Sequence, residues 1–153
     1  MAAPEVSINQ AASMALNAAA VNVVRTLPGR GAVVWGARTA SDDTAWRYIA
    51  VRRLALLMTR DINALAAWIT PQPNTEATWA QVRAAIGVYL QGLFHDGAFQ
   101  GLTPTQAYFV RADAQTMTQD DIAAGRLKVL VGFAAVKPAE FVLLRFDFAC
   151  QAP

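Results

Sequence analysis

Two segments carry apolar residues at helical spacing. In residues 46–68, Ala50, Leu54, Leu57, Met58, Ile62 and Leu65 share one face, while Arg52, Arg53, Arg60 and Asp61 interrupt others, which predicts an amphipathic helix. Its front, Trp46-Arg47-Tyr48-Ile49, fits a strand leading into the helix equally well. Trp68-Ile69-Thr70 before Pro71 is expected to leave the helix as a short strand, because a residue preceding proline avoids α geometry. The second stripe is Trp79, Val82, Ile86, Tyr89, Leu90 and Leu93, with Asn74 or Thr75 as its cap and Gly97 as its stop.

Elsewhere the period is two. Leu127, Val129, Val131 and Phe133 alternate with Lys128, Leu130 and Gly132, a strand with one favoured face. The run Phe141-Val142-Leu143-Leu144-Arg145-Phe146-Asp147-Phe148 is apolar on both faces in its first half, so cover on both is expected. Val21-Asn22-Val23-Val24-Arg25-Thr26 reads as a short strand that Pro28-Gly29-Arg30-Gly31 interrupts and Ala32-Val33-Val34-Trp35 resumes. Tyr108-Phe109-Val110 makes another strand after the Thr103-Pro104 turn, and Thr118 opens a short helix through Ile122 that Gly125 stops. Residues 1–19 are small and polar-spotted, without clear periodicity, and read as a flexible N-terminal arm. The fold class is α/β in the α+β sense: a two-layer arrangement of a small mixed β-sheet and two main helices, with terminal strands available for exchange. The expected organisation is an arm (1–19), one domain (20–149) and a short tail (150–153).

Composition narrows the classes. Hydrophobic residues are 55% of the 153 and charged residues 16%, which excludes an intrinsically disordered chain. So apolar and charge-poor a chain has more greasy surface than one monomer hides, a first hint of assembly. The net charge of +2 does not call for nucleic acid. Arg25, Arg30, Arg38, Arg47, Arg52, Arg53 and Arg60 face only Asp42 and Asp43 between residues 25 and 60, which reads either as a basic face for an acidic partner or as solvated arginines. No apolar run approaches membrane-spanning length, and the Ala-rich start lacks a basic leader. A soluble chain made in the cytoplasm is expected.

Candidate chemistry is sparse. His95 is the sole histidine, followed by Asp96 and Gly97, with no serine or cysteine motif directed at it; it reads as a helix-end residue. Cys150, the single cysteine, has no neighbouring base in sequence. One histidine, one cysteine and scattered carboxylates give no ligand spacing, so no metal is expected. Gly29-Arg30-Gly31 with Gly36 is not a dinucleotide fingerprint, since a strand and not a helix follows, and no phosphate loop is present. An enzyme and a cofactor are both unexpected. The ends of the predicted sheet are what remain, where an edge strand either stays at home or pairs with another subunit.

Several blocks resemble a known family. Val21-Asn22-Val23-Val24-Arg25-Thr26, Pro28-Gly29-Arg30-Gly31 and Val34-Trp35-Gly36-Ala37-Arg38-Thr39 resemble the VNxIR…PGRG…VWGARTL signature of contractile tail sheath proteins. Trp46-Arg47-Tyr48-Ile49-Ala50-Val51-Arg52-Arg53-Leu54 and Gly97-Ala98-Phe99-Gln100-Gly101 are similar to later blocks, as is the stretch Ala107-Tyr108-Phe109-Val110-Arg111-Ala112-Asp113. Met117-Thr118-Gln119-Asp120-Asp121-Ile122, Gly125-Arg126-Leu127 and Lys137-Pro138-Ala139-Glu140-Phe141-Val142 complete the series in order. The likeness spans roughly residues 20–149 and corresponds to the C-terminal, inner domain of a sheath. Ala134-Ala135-Val136 stands where the family commonly has Ala-Pro-Val.

The resemblance implies a structural subunit that polymerises helically around an inner tube and contracts to drive that tube through a target envelope, with no nucleotide hydrolysis. Its implied partners are further copies of the chain in stacked rings, the inner tube protein, and baseplate and tail terminator proteins, without nucleic acid and without membrane insertion. The particle would be assembled in the bacterial cytoplasm as a virion tail or a related contractile device. By the same resemblance, Val21, Asn22, Val23, Val24 and Arg25 would form the N-terminal arm strand donated between subunits, and Phe141, Val142, Leu143, Leu144, Arg145 and Phe146 the C-terminal one. Tube contacts would fall on Asp120, Asp121, Arg126 and Lys128, with Arg83 as a further candidate. Family members ordinarily carry a larger N-terminal portion, whereas about twenty residues precede the first block here; this implies either a sheath without the outer layer or its inner domain alone. The alternative function is a non-polymerising adaptor or baseplate-type relative that binds an acidic tube surface.

Overall fold

The computed structural model describes residues 4, 6–135 and 141–152. The chain forms two compact units, Met1–Arg52 and Arg53–Pro153.

The first unit opens with helix α1 (Gln10–Ala18), where the sequence reads as an arm without periodicity. The segment is helical by propensity and capping, not by an apolar stripe. Its many alanines favour the helix, and the Asn9 side chain accepts a hydrogen bond from Ala12 N at 2.8 Å. The helix stops in a Schellman arrangement, Val21 N donating to Leu16 O and Ala20 N to Asn17 O. Ala20 takes the positive φ of 61° usually left to glycine. Strands β1 (Val23–Leu27) and β2 (Gly31–Trp35) follow as an antiparallel hairpin in which Val23 faces Trp35 and Leu27 faces Gly31. Pro28 and Gly29 occupy the centre of a turn closed by Arg30 N to Leu27 O, and Gly29 supplies the positive φ that a type II turn needs. Beyond the hairpin, Arg38 bridges to Tyr48 and Thr39 N donates to Arg47 O. The 3-10 turn Thr44–Trp46, capped by Asp43, lies between them. Of residues 46–49, Trp46 ends this turn, Tyr48 forms a single antiparallel bridge in place of a full strand, and Ile49 begins the next helix.

Helix α2 (Ile49–Leu65) and helix α3 (Glu76–His95) take up the two amphipathic stretches. Residues 68–70 form tight turns, Ile69 N donating to Ala66 O and Gln72 N to Ile69 O. These turns bury Ile69, where the sequence suggests a short strand. Short helix α4 (Pro104–Ala107) leads into β3 (Tyr108–Arg111), then come α5 (Gln119–Ala123), β4 (Arg126–Ala134) and β5 (Phe141–Ala149). Strands β3, β4 and β5 form a three-stranded antiparallel sheet in that order. The expected small mixed sheet is thus two separate sheets, each antiparallel.

The second unit holds most of the core. One face of the sheet supplies Leu127, Val129, Val131, Phe133, Val142 and Phe146, all buried. Met58 and Ile62 of α2 and Trp79, Val82, Ile86 and Leu90 of α3 are buried as well. Tyr89 Oη donates to Asp61 Oδ2 at 2.8 Å, tying α3 to α2. The other face of β5 is uncovered: Phe141 is 44% and Leu143 47% exposed, against the expectation of cover on both sides. Val136, Lys137, Pro138, Ala139 and Glu140, which contribute to the sequence resemblance, lie outside the described residues.

Candidate functional site

The strand candidates sit in two different settings. Val23, Val24 and Arg25 belong to β1, while Val21 and Asn22 precede it. The hairpin is a two-stranded sheet with both outer edges unpaired among the described residues. It leaves Val34 60% and Trp35 45% exposed, with the Arg25 guanidinium 5.9 Å from the Trp35 ring and its Nη1 donating to Gln10 Oε1. Two strands alone bury too little to be stable by themselves. Phe141, Val142, Leu143, Leu144, Arg145 and Phe146 lie in β5, paired through nine positions to β4, with the opposite edge of β5 unpaired among the described residues.

Asn22 has a task that its place in a strand pattern conceals. Its Nδ2 donates to Arg38 O at 2.7 Å, and its Oδ1 accepts from Arg38 N at 3.0 Å. The side chain thereby imitates one rung of a sheet and holds the segment beyond β2. Gly36, with φ of 138°, is required beside it, since a Cβ there would collide with the Asn22 side chain. Thr39 Oγ1 then donates to Trp46 O at 2.6 Å, and Arg52 lies over the Trp46 ring. The sequence block Val34–Thr39 is thus a set of backbone clamps.

The charged candidates divide between inward and outward. Asp121 is 3% exposed. Thr118 and Asp121 form a reciprocal capping box at the start of α5, and the carboxylate also accepts from Lys128 Nζ at 2.8 Å and Arg126 Nε at 3.0 Å. The Lys128 ammonium, followed by the Thr118 amide and hydroxyl, holds its pKa well below the usual carboxylate range. Asp121 is a turned-in fastener, and Thr118-x-x-Asp121 is the sequence signal for it. Asp120 is exposed, and Arg126 and Lys128 keep part of their side chains in solvent. Arg83 donates to Ala112 O and pairs with Glu76 at 2.8 Å, so it binds α3 to the end of β3.

Asn74, read from sequence as a helix cap, is a buried hub. Thr75 holds the N-cap position of α3 without a side-chain bond. Asn74 Oδ1 accepts from Trp79 Nε1 at 2.7 Å, its Nδ2 donates to Arg126 O at 3.2 Å, and its N–H donates to Gln151 O. One side chain therefore links α3 to β4, and its backbone reaches the residues after β5. No local pattern marks such a residue.

His95 ends α3 beside Phe94 and within reach of Gln91. The Cys150 thiol is pushed up by burial, away from the reactive thiolate. Among the described residues no cluster of His, Cys, Asp and Glu could hold a metal ion, and no helix is long and apolar enough to cross a membrane.

Comparison with known proteins adds the remaining link. The family model for the phage tail sheath C-terminal domain matches residues 41–149. No curated protein matches the chain. Among solved structures, the anti-feeding prophage (AFP) baseplate contains a chain that is 44% identical with a TM-score of 0.82, over 93% of this chain and 40% of that one. The contracted sheath complex of the PVC extracellular contractile injection system gives 41% identity and a TM-score of 0.81, over 94% and 41%. The contracted AFP helical sheath gives 43% and 0.79, over 95% and 41%. The chain spans about two fifths of the length of these relatives. Matched over most of its length, it belongs to the phage tail sheath family through that family's C-terminal domain.

Proposed function

We propose that the chain is a non-enzymatic structural subunit of a contractile sheath, polymerising helically around an inner tube in a phage-tail-like particle that is assembled in the cytoplasm. Contraction drives the tube forward as rigid domains re-dock, with the free energy coming from better-packed subunit interfaces in the contracted state. The hairpin β1–β2 carries this reading: both of its edges are open among the described residues, and Val34 and Trp35 stand in solvent. A strand from a neighbouring subunit would give it the third strand it lacks. In this reading Val21–Arg25 and Phe141–Phe146 are the strands that subunits share. The likeness to chains of contracted AFP and PVC sheaths supports the same assembly. Baseplate and tube proteins are then its neighbours, with Asp120 and the outer parts of Arg126 and Lys128 as contact groups.

Negative-stain electron microscopy of the purified chain across salt tests this. Hollow ring-stacked tubes are expected. Deletion of residues 1–26 or Leu143→Pro should abolish them while circular dichroism retains the folded second unit, because proline removes a ladder donor. Normal tubes from both variants would overturn the strand assignment. The match to an AFP baseplate chain gives the second reading, an adaptor that does not polymerise. A small closed ring at every salt concentration would favour it.

A further inference from the structure

The uncovered face of the β3–β4–β5 sheet has a definite layout. The register sets Arg111, Leu130 and Arg145 side by side across the three strands, with Lys128 opposite Asp147 in the next outward row. At the other end Phe109, Gly132 and Leu143 share a row, and Phe109 reaches Phe141 at 5.7 Å between ring centres. Gly132 permits this, since a Cβ there would run into the Phe109 ring. The face is therefore apolar at one end and basic at the other, and a depression of about 520 Å³ lies over the basic end, lined in part by Arg111, Thr116, Leu130 and Arg145.

The two arginines are held ready for an anion. The Arg111 guanidinium lies 5.3 Å from the Phe109 ring, which supports its plane and leaves its N–H edges open. Among the described residues neither Arg111 nor Arg145 has an ion-pair or side-chain hydrogen-bond partner. Lys128 and Arg126 are already matched by Asp121, and Asp147 is the carboxylate that shares the depression with the arginine pair among the described residues.

We propose that this sheet face docks an α-helix of a partner protein that presents two carboxylates two helical turns apart with an apolar residue midway. Arg111 and Arg145 stand on strands two spacings apart, roughly 10 Å, and helix residues seven apart are separated by about the same distance. The residue midway would rest on Leu130, and the flank of the helix would cover Phe141 and Leu143. Each carboxylate would accept a charge-assisted bond from one guanidinium. A nucleic-acid strand fits less well. Asp147 interrupts the basic row, the Phe109 face is occupied by Arg111, and the exposed Phe141 ring lies at the opposite end of the face from Arg145. The proposal holds whether or not the chain polymerises.

The test is amide chemical-shift mapping on the full chain. The probe is a synthetic helical peptide with two glutamates two turns apart and a leucine midway. Arms with lysines in place of the glutamates and with an oligothymidylate run beside it. Shifts are expected at Arg111, Leu130 and Arg145 with the glutamate peptide, weakening as salt rises. The double variant R111E/R145E, changed only at exposed positions, should bind at least about tenfold more weakly and should gain affinity for the lysine peptide. Absence of shifts at these amides overturns the proposal. So does equal binding of both peptides to the unaltered chain, which would mean an apolar contact only, or tighter binding of the oligothymidylate, which would mean a nucleic-acid site.

Discussion

The two sheets are built from similar strands and differ in what backs them. In β3–β4–β5 the inner face buries Leu127, Val129, Val131, Phe133, Val142 and Phe146, and β4 is paired on both sides. In β1–β2 only Val23 is buried, and five residue pairs with the Asn22 clamp hold the hairpin. The first sheet is stabilised by burial, which is large and diffuse. The second relies on a few directed hydrogen bonds, each modest in net effect. One is a platform within the chain. The other is a surface with capacity for more strands.

That contrast sets an order of expected effects. Phe133→Ala removes a fully buried ring from the platform and should cost about 3–5 kcal/mol in urea unfolding, while hydrogen exchange of the hairpin amides changes little. Asn74→Ala leaves the Trp79 indole N–H without its acceptor and should cost about 2–3 kcal/mol, read as an earlier urea midpoint together with a shifted tryptophan emission. Asn22→Ala strips two bonds from Arg38 and should cost about 1–2 kcal/mol. Its effect should be confined to faster exchange at the amides of residues 23–27, and equal loss throughout the second unit would contradict a local role for the Asn22 clamp. The last effect is one of pH. The folded pKa of Asp121 lies below its unfolded value, so the stability it confers is complete above the unfolded carboxylate pKa near 4. It is lost as pH falls through the folded value. Asp121→Asn should flatten the acid limb of stability against pH and leave its slope above neutrality unchanged.

How far these features could be read from sequence depends on their range. The stripe of α3, the alternation of β4 and the short helix after Thr118 are local periodicities, and the structure has them within a few residues. Helix α2 stands where the pattern puts it, but its face is turned: Val51, Ala55, Met58 and Ile62 are buried, whereas Ala50, Leu57 and Leu65 are exposed. Helix α1 escaped because alanine propensity and an asparagine cap leave no apolar stripe. Asn74 looked like a cap because a buried amide and a capping amide are the same residue in the same place, and its partners lie about fifty positions away. Asp121 looked like a surface charge, although its spacing from Thr118 already matched a capping box. The residues of β5 were expected to be covered on both faces. Phe141 and Leu143 are bare in the single chain, because no element of the second unit packs on that side of β5 among the described residues.

The ladder between β4 and β5 also has a mechanical meaning. Its nine residue pairs carry hydrogen bonds that lie across the strand direction, so tension along β5 loads them together in shear and does not peel them one at a time. At the far end Cys150 N donates to Gly125 O and Gln151 N to Gln72 O, and these bonds anchor the strand to the turn before β4 and to the segment before α3. A pull on the C-terminal strand would therefore pass into the segment before α3 as a distributed load and not as a sequential peel.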